Sequence, residues 1–374
     1  MKKIPYGKQV VDEQDIVAVC DVLRSDWLTT GPAVAEFERA VRRYVGAEHG
    51  VAVSSGTAAL HCAMYAINIG EYDEVIVPTM TFAATANSVV FQKGRPVFAD
   101  VDPDTLLIDP ECVEKLITPK TKAIIAVDYA GQPCDYDALR SIADSNNLIL
   151  LADSCHALGA KYQGRYLGSL ADITVFSFHP VKHITTGEGG MAVTDNAELA
   201  ARMRLFRNHG ISTDFREREK QASWHYEMID LGFNYRLSDI QCALGMSQLK
   251  KLPSFLDRRE RIASLYNELL AGFQSVKPLA VGRDIHHAWH LYVVKVRDAE
   301  FRQAVFNELR SIGIGVNVHY IPVHLHPYYQ KNHSTGKGLC PVAEKEYQRI
   351  FSLPIWPGMD DEDVQAVVRN IPNM

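Results

Sequence analysis

Lys182 stands in an unusual setting for a lysine. It lies between Val181 and the pair His183-Ile184, and a glycine-rich turn, Thr185-Thr186-Gly187-Glu188-Gly189-Gly190, follows. Among apolar neighbours an ammonium ion is poorly solvated, so the pKa falls and the free amine can attack a carbonyl to form a Schiff base. On this segment alone, a lysine snorkelling from a strand end is an equal reading. Asp153 follows five apolar residues, 148–152, and precedes Ser154-Cys155-His156-Ala157-Leu158-Gly159. A carboxylate at the rim of a sheet can hold a cationic ring nitrogen in a low-dielectric pocket, yet Asp is also a favoured N-cap after a strand. His156 reads equally as a hydrogen-bonded core histidine. After Val53 comes Ser54-Ser55-Gly56-Thr57-Ala58-Ala59-Leu60. Its small residues leave a helix N-terminus open, a place that suits phosphate and equally suits a plain Ser/Thr cap. The turn has neither the Gly-Lys-Ser/Thr ending of a Walker loop nor the Gly-x-Gly-x-x-Gly of a dinucleotide site.

Taken together, a phosphate cradle, an acid for a protonated ring nitrogen and a buried lysine for an aldehyde describe pyridoxal 5′-phosphate (PLP). Phe82, in Pro78-Thr79-Met80-Thr81-Phe82-Ala83-Ala84-Thr85, follows a fourth strand end and can stack on the flat ring or join the core.

These residues need strands to carry them. Continuous apolar runs at 50–53, 74–77, 96–99, 123–127, 148–152, 173–178 and 191–194 read as strands buried on both faces. Helical patterns at 58–67, 85–91, 112–116 and 136–144 lie between them. Such alternation predicts a seven-stranded, mostly parallel sheet between helices, with the last strand suited to an antiparallel place. Ligands then bind beyond the carboxyl ends of the strands, where Asp153 and Lys182 fall. Further on, 199–206 reads as a helix and charged Asp214–Gln221 as a mobile surface loop; regular structure resumes over 237–249, and 256–270 reads as a long helix. The segments 289–296, 301–312 and 314–320 read as strand, helix and strand. The division expected is a large cofactor domain over 1–250, with an N-terminal arm over 1–15, and a small α+β domain over 251–374.

Composition narrows the partners. The 374 residues carry 39 Lys+Arg against 45 Asp+Glu, a net charge of −6, so the chain has no general attraction for nucleic acid or anionic membrane. No apolar run approaches a membrane span, and the first residues, Met1-Lys2-Lys3-Ile4, lack a signal peptide's apolar stretch. The 7 cysteines are dispersed without a Cys-x-x-Cys pair, which reads as reduced thiols in the cytoplasm. His319, His324 and His326 invite a metal, but no carboxylate lies near them in the sequence, and no metal is expected.

The ordered motifs resemble the DegT/DnrJ/EryC1/StrS sugar aminotransferases. They are Ser55-Gly56-Thr57-Ala58-Ala59-Leu60, Thr81-Phe82-Ala83-Ala84-Thr85, Asp153-x-x-His156-Ala157-x-Gly159, Ser177-Phe178-His179-x-x-Lys182 and Gly232-Phe233-Asn234-Tyr235-Arg236-Leu237-Ser238-Asp239. The resemblance runs over essentially the whole chain. It implies the aspartate-aminotransferase-like α/β fold (fold type I), PLP as cofactor, and a homodimer with shared active sites. Matched by position, Lys182 joins the cofactor aldehyde, Asp153 holds the pyridine nitrogen, and His156 lies near the ring hydroxyl. Phe82 stacks on the ring. Gly56, Thr57 and Ser177 hold the phosphate, with Asn234 reaching in from the other subunit.

Other stretches, such as Val127-Asp128-Tyr129-Ala130-Gly131 and Val318-His319-Tyr320-Ile321-Pro322-Val323-His324-Leu325, are similar to the pseudaminic-acid branch of the family. That branch implies transfer of an amino group from L-glutamate, giving 2-oxoglutarate, to C4 of a UDP-linked 4-keto-6-deoxy-N-acetylhexosamine. The product is UDP-4-amino-4,6-dideoxy-N-acetyl-β-L-altrosamine. Substrate contacts would fall on Tyr6, on Asp26, Trp27, Leu28 and Thr29, and on Val318, His319, Tyr320 and Ile321. At the first turn the branch reads Asn-Ser-Ala-Thr-Ser-Ala-Leu, and this chain has the general family version. Another nucleotide-linked keto sugar is therefore the alternative, and a PLP-binding regulator without turnover a remote one. The family's sugar 3-dehydratases carry His where this chain has Lys182.

Overall fold

The computed structural model describes residues 2–213, 218 and 222–372. Seven strands build the main sheet. They are β1 (His49–Val53), β2 (Glu74–Pro78), β3 (Arg95–Ala99), β4 (Thr121–Val127), β5 (Ile149–Asp153), β6 (Ile173–Ser177) and β7 (Gly190–Thr194). Their order is β1-β7-β6-β5-β4-β2-β3. β7 runs antiparallel to both β1 and β6, and the other neighbours are parallel. The physical reason lies in the connection. Parallel neighbours need a helical crossover, whereas the 178–189 loop between β6 and β7 holds no helix and brings the chain straight back. Both faces of the sheet are covered, and every residue of β2 and β7 is buried.

Helices α1 (Glu13–Leu23), α2 (Pro32–Val45), α3 (Gly56–Ala66), α4 (Ala83–Phe91), α5 (Pro110–Leu116), α6 (Tyr136–Ser145) and α7 (Ala197–Arg207) accompany these strands. α6 buries Tyr136, Leu139 and Ala143, a helical stripe typical of a surface helix. α3 is different. Gly, Ala, Leu, Cys and Met make it apolar on almost every side, and nearly all of it is buried. Small side chains let this helix sit in the interior directly after β1.

The regular stretch expected over 237–249 and the long helix expected over 256–270 form one helix, α8 (Asp239–Leu270), of 32 residues with Pro253 inside. Proline removes one hydrogen bond and crowds the preceding turn. Here it is exposed on the solvent side, and the buried stripe Leu249, Leu252, Leu256, Arg259, Ile262 and Tyr266 passes it without interruption. Tertiary burial of that stripe outweighs the local cost. The helix starts at a capping box, with Ser238 and Gln241 satisfying each other's backbone N–H groups.

A second apolar cluster gathers Ile262, Tyr266 and Leu270 of α8 with β8 (Val276–Pro278), β9 (Tyr292–Val296), β10 (Ile350–Leu353), α9 (Ala299–Ser311) and α12 (Asp361–Arg369). Between these lie the short helices α10 (Pro327–His333) and α11 (Pro341–Tyr347). The strand expected over 314–320 is absent, because its backbone pairs only singly, Ile314 with Ile4 and Asn317 with Ser352. β10, unanticipated in the sequence, completes the small sheet beside β9. The N-terminal arm joins this second cluster: Ile4 is buried in it, and its N–H donates to Gly313 O at 3.0 Å. The charged stretch 214–221 lies outside the described residues except for Arg218. Among the described residues no helix is long and apolar enough to cross a membrane.

Candidate active site

The carboxyl ends of β1, β5 and β6 meet at one place. Ser55 caps α3, its Oγ accepting from Ala58 N at 3.0 Å, so the plain capping reading holds for that hydroxyl. Gly56 has a different role. A Cβ there would lie 3.0 Å from Ser177 Cβ and 3.1 Å from Cys155 Sγ, a tight fit, so glycine lets the helix start lie against both strand ends without displacing either side chain. The opening of α3, with Thr57 beside it, therefore presents unobstructed backbone N–H groups next to Ser177.

Asp153 ends β5 and is buried. Its Oδ2 accepts from Thr85 Oγ1 at 2.7 Å and its Oδ1 from Cys155 N at 3.2 Å. Thr81 Oγ1 is 2.8 Å from Thr85 Oγ1, and because Thr85 gives its proton to the carboxylate, Thr81 must be the donor of that bond. α4 thus anchors the acid through a hydroxyl pair. Thr85→Val is expected to lower stability by about 1–3 kcal/mol, the range for a buried acceptor that loses its donor. Urea denaturation measures it, and an unchanged midpoint would show that Thr85 does not hold Asp153.

Lys182 leaves the loop after β6 and places its Nζ 3.4 Å from His290 Nε2. Desolvation lowers its basicity and is the largest influence, opposed by Cys155 and Asp153 and reinforced by the Arg259 guanidinium. Around it stand neutral imidazoles. His156 Nε2 lies 3.0 Å from Tyr320 OH, and its ring centroid is 4.4 Å from that of His290. Burial pushes His156, His183 and His290 well below the ordinary imidazole value, with Lys182 adding to the effect on each.

Burial also holds His61 and His319 at about 4 and His287 at about 3. Unfolding returns all six to about 6.5, so the unfolded chain binds more protons below that pH. Their contribution is complete above pH ~6.5 and is lost as pH falls toward the folded values. Asp128, raised by burial to about 7, acts in the opposite sense, but it is one carboxyl against six imidazoles. The urea midpoint is expected to fall between pH 7 and pH 5, and a flat profile would contradict neutral burial.

The structure brings further expected residues to the same place. The Tyr6 ring lies 5.8 Å from that of His319, and a Cβ on Gly7 would lie 3.6 Å from Val181 Cβ, so the arm passes beside the lysine loop. Tyr129 OH donates to His319 O. Phe82 is 60% exposed, with its ring 5.9 Å from that of Tyr320. That exposure leaves a free face for a planar ligand and removes the alternative of a core Phe. Val318 packs against the second cluster, and Ile321 is exposed.

Other expected residues are elsewhere within this chain. Asp26, Trp27, Leu28 and Thr29 adjoin the start of α8, where Leu28 O accepts from Asp239 N at 3.0 Å and Thr29 bridges Ser238. Asn234 is exposed and pairs with Asn208. The histidine cluster 319, 324 and 326 does not converge. His324 is fixed between Thr79 Oγ1 at 2.5 Å and Glu344 Oε1 at 3.0 Å, a carboxylate distant in sequence. Among the described residues no group of three or more His, Cys, Asp or Glu side chains could hold a metal ion.

His290 is the residue missed. The run 289–292 reads as packing for the C-terminal part, which is true of Trp289 and Tyr292, but His290 turns toward Lys182. Its signal was the density of His286, His287 and His290 within five positions.

The profile described as the DegT/DnrJ/EryC1/StrS aminotransferase family matches residues 9–372. The chain belongs to this family. It is 42% identical over 376 residues to the spore coat polysaccharide biosynthesis protein SpsC of Bacillus subtilis, covering 98% of this chain and 96% of that one. Its fold superposes with a TM-score of 0.94 on Spr1654 of Streptococcus pneumoniae in its PMP form, at 34% identity and 98% of both chains. It does so at 0.92 on Helicobacter pylori PseC, an aminotransferase involved in the biosynthesis of pseudoaminic acid, at 35% identity over 99% of this chain and 98% of that one. The fold is thus the one expected, and the cofactor of this family of aminotransferases is PLP. The residues present fit it: a buried carboxylate for the ring nitrogen, an amine of lowered basicity for the aldehyde and, at Gly56, a helix start lying close against Ser177 and Cys155.

Proposed function

We propose that the enzyme transfers an amino group from L-glutamate to C4 of a UDP-linked 4-keto-6-deoxy-N-acetylhexosamine. The observation that carries the reading is Tyr320, which touches His156 while its neighbour His319 meets Tyr6, all beside Lys182. His319 and Tyr320 belong to the 318–325 stretch that resembles the pseudaminic-acid branch, and the involvement of Helicobacter pylori PseC in the biosynthesis of pseudoaminic acid agrees with that branch.

Bound PLP supplies an electron sink conjugated to the reacting carbon–nitrogen bond. The chain does the rest. Lys182 would anchor the cofactor, and its freed amine would move the proton from Cα of glutamate to the cofactor and, in the second half of the reaction, from the cofactor to C4 of the sugar. Asp153 keeps the pyridine nitrogen protonated, and Thr85 and Cys155 N hold Asp153 in place. Gly56, Thr57 and Ser177 would hold the phosphate, Phe82 would cover one face of the ring, and His156 would adjoin the ring hydroxyl.

The proposed assembly is a homodimer in the cytoplasm. Trp224, Tyr226, Met228, Ile229 and Leu231 expose 55–86% of their surface, more apolar area than a solitary chain usually shows. Asn234 and 26–29 adjoin exposed Phe233 and Leu28, which suits residues that complete the site of a second copy. All seven cysteines are free, as suits a reducing compartment. Leu231→Glu is expected to shift sedimentation from twice the chain mass to the chain mass and to loosen the cofactor, and a stable dimer in that variant would remove the patch from the interface.

The general form of the first turn favours one alternative, another nucleotide-linked keto sugar. Incubating protein, PLP and glutamate with a panel of 4-keto nucleotide sugars and identifying products by NMR decides between them. Amination of the UDP-N-acetyl sugar supports the proposal. Exclusive use of another sugar overturns it.

A further inference from the structure

We propose that His290 is a positioning residue for Lys182, its imidazole carrying the proton on Nε2 and donating a hydrogen bond to the lone pair of the lysine amine. The inference rests on Lys182 being the residue that joins the cofactor.

The tautomer follows from the neighbours. His183 Nε2 lies 3.0 Å from Ala288 O, which can only accept, so His183 carries its proton on Nε2 and leaves Nδ1 bare. The Nδ1 atoms of His156, His183 and His290 are all buried, with no hydrogen-bond partner among the described residues. A bare buried acceptor costs less than a buried N–H with nothing to donate to. The same assignment therefore serves all three rings: His156 Nε2–H donates to the Tyr320 oxygen, and His290 Nε2–H points to Lys182 Nζ. With the other tautomer, His290 would bury an unpaired N–H on Nδ1. The 3.4 Å separation is long for such a bond and within the range that tightens when a site fills.

The backbone that carries His290 is clamped from behind. Arg259, fully buried on α8, donates from Nη1 to Trp289 O at 2.9 Å, to Ile355 O at 3.2 Å and to His290 O at 3.4 Å. Its permanent cation opposes a second charge at Lys182, as does burial, while Asp153 and Cys155 favour one. His156, His183 and His319 face the same amine as neutral rings. A neutral donor thus meets an amine that its surroundings bias toward the free base, the form needed to take a proton.

The test uses enzyme converted by excess glutamate to its aminated-cofactor form, in which Lys182 is a free amine. Competitive labelling with trace acetic anhydride across pH, read by peptide mass spectrometry, gives the protonation midpoint of Lys182. His290→Phe keeps the ring volume and removes the donor, so the midpoint is expected to rise about tenfold in protonation constant, the effect of losing one hydrogen bond. His290→Gln keeps an N–H and is expected to retain the original midpoint. An unchanged midpoint in His290→Phe, or an equal shift in both variants, overturns the proposal. Should His290→Phe not fold, ¹⁵N NMR of the intact enzyme reads the His290 tautomer directly, and a proton on Nδ1 overturns it too. Borohydride reduction with peptide mapping separately tells whether Lys182 is the cofactor lysine.

Discussion

Lys182→Ala is expected to lower turnover by at least about 10⁴-fold and to leave no cofactor attached to the chain after borohydride reduction. Two losses combine. In the proposed mechanism the covalent anchor disappears, and with it the base that would move the proton between Cα and the cofactor, a function worth about 10²–10⁴ on its own. No neighbour can replace it. His156, His183 and His290 are neutral and weakly basic in their burial, and the Cys155 thiol is pushed far up by desolvation and by Asp153. The measurement is 2-oxoglutarate formed per enzyme over many cycles. Added small primary amines are expected to restore part of the rate, because they supply the missing base in the same cleft. Sustained turnover in the unsupplemented variant would remove Lys182 from its assigned role.

Asp153→Asn is expected to keep the cofactor and lose about 10²–10⁴ in kcat. The amide has nearly the shape of the carboxylate, so Thr85 and Cys155 N can still donate to its oxygen and the pocket should persist. What disappears is the negative charge in a poorly polarisable site, where it acts most strongly on a cationic ring nitrogen. Retained visible absorbance with slow half-reactions for glutamate and for sugar would separate this loss from misfolding. Equal kcat in both proteins would mean that Asp153 does not hold the ring nitrogen.

Much of the fold was legible locally. Each strand of the main sheet is a short apolar run, and the residues that end or follow it in sequence do so in space, so Asp153 at the end of β5 and Lys182 in the loop after β6 could be placed at one edge. The reading failed where distant segments compete with local preference. The long helix expected from residue 256 in fact begins at Asp239, because burial of a continuous stripe carries α8 past Pro253. Residues 314–320 looked like a strand, and their backbone found only single partners in the arm and in β10.

By itself, then, the sequence determined the strand succession and the places of Asp153, Lys182 and the glycine-opened helix start at strand ends, because each is a short-range relation between a residue and a neighbouring element. Only the tertiary structure decided what surrounds the lysine. His290 reaches it across 108 positions, Tyr320 reaches His156 across 164, and Glu344 reaches the sheet edge through His324 and Thr79. Such contacts depend on how two apolar clusters pack around one helix, and no local periodicity encodes that distance.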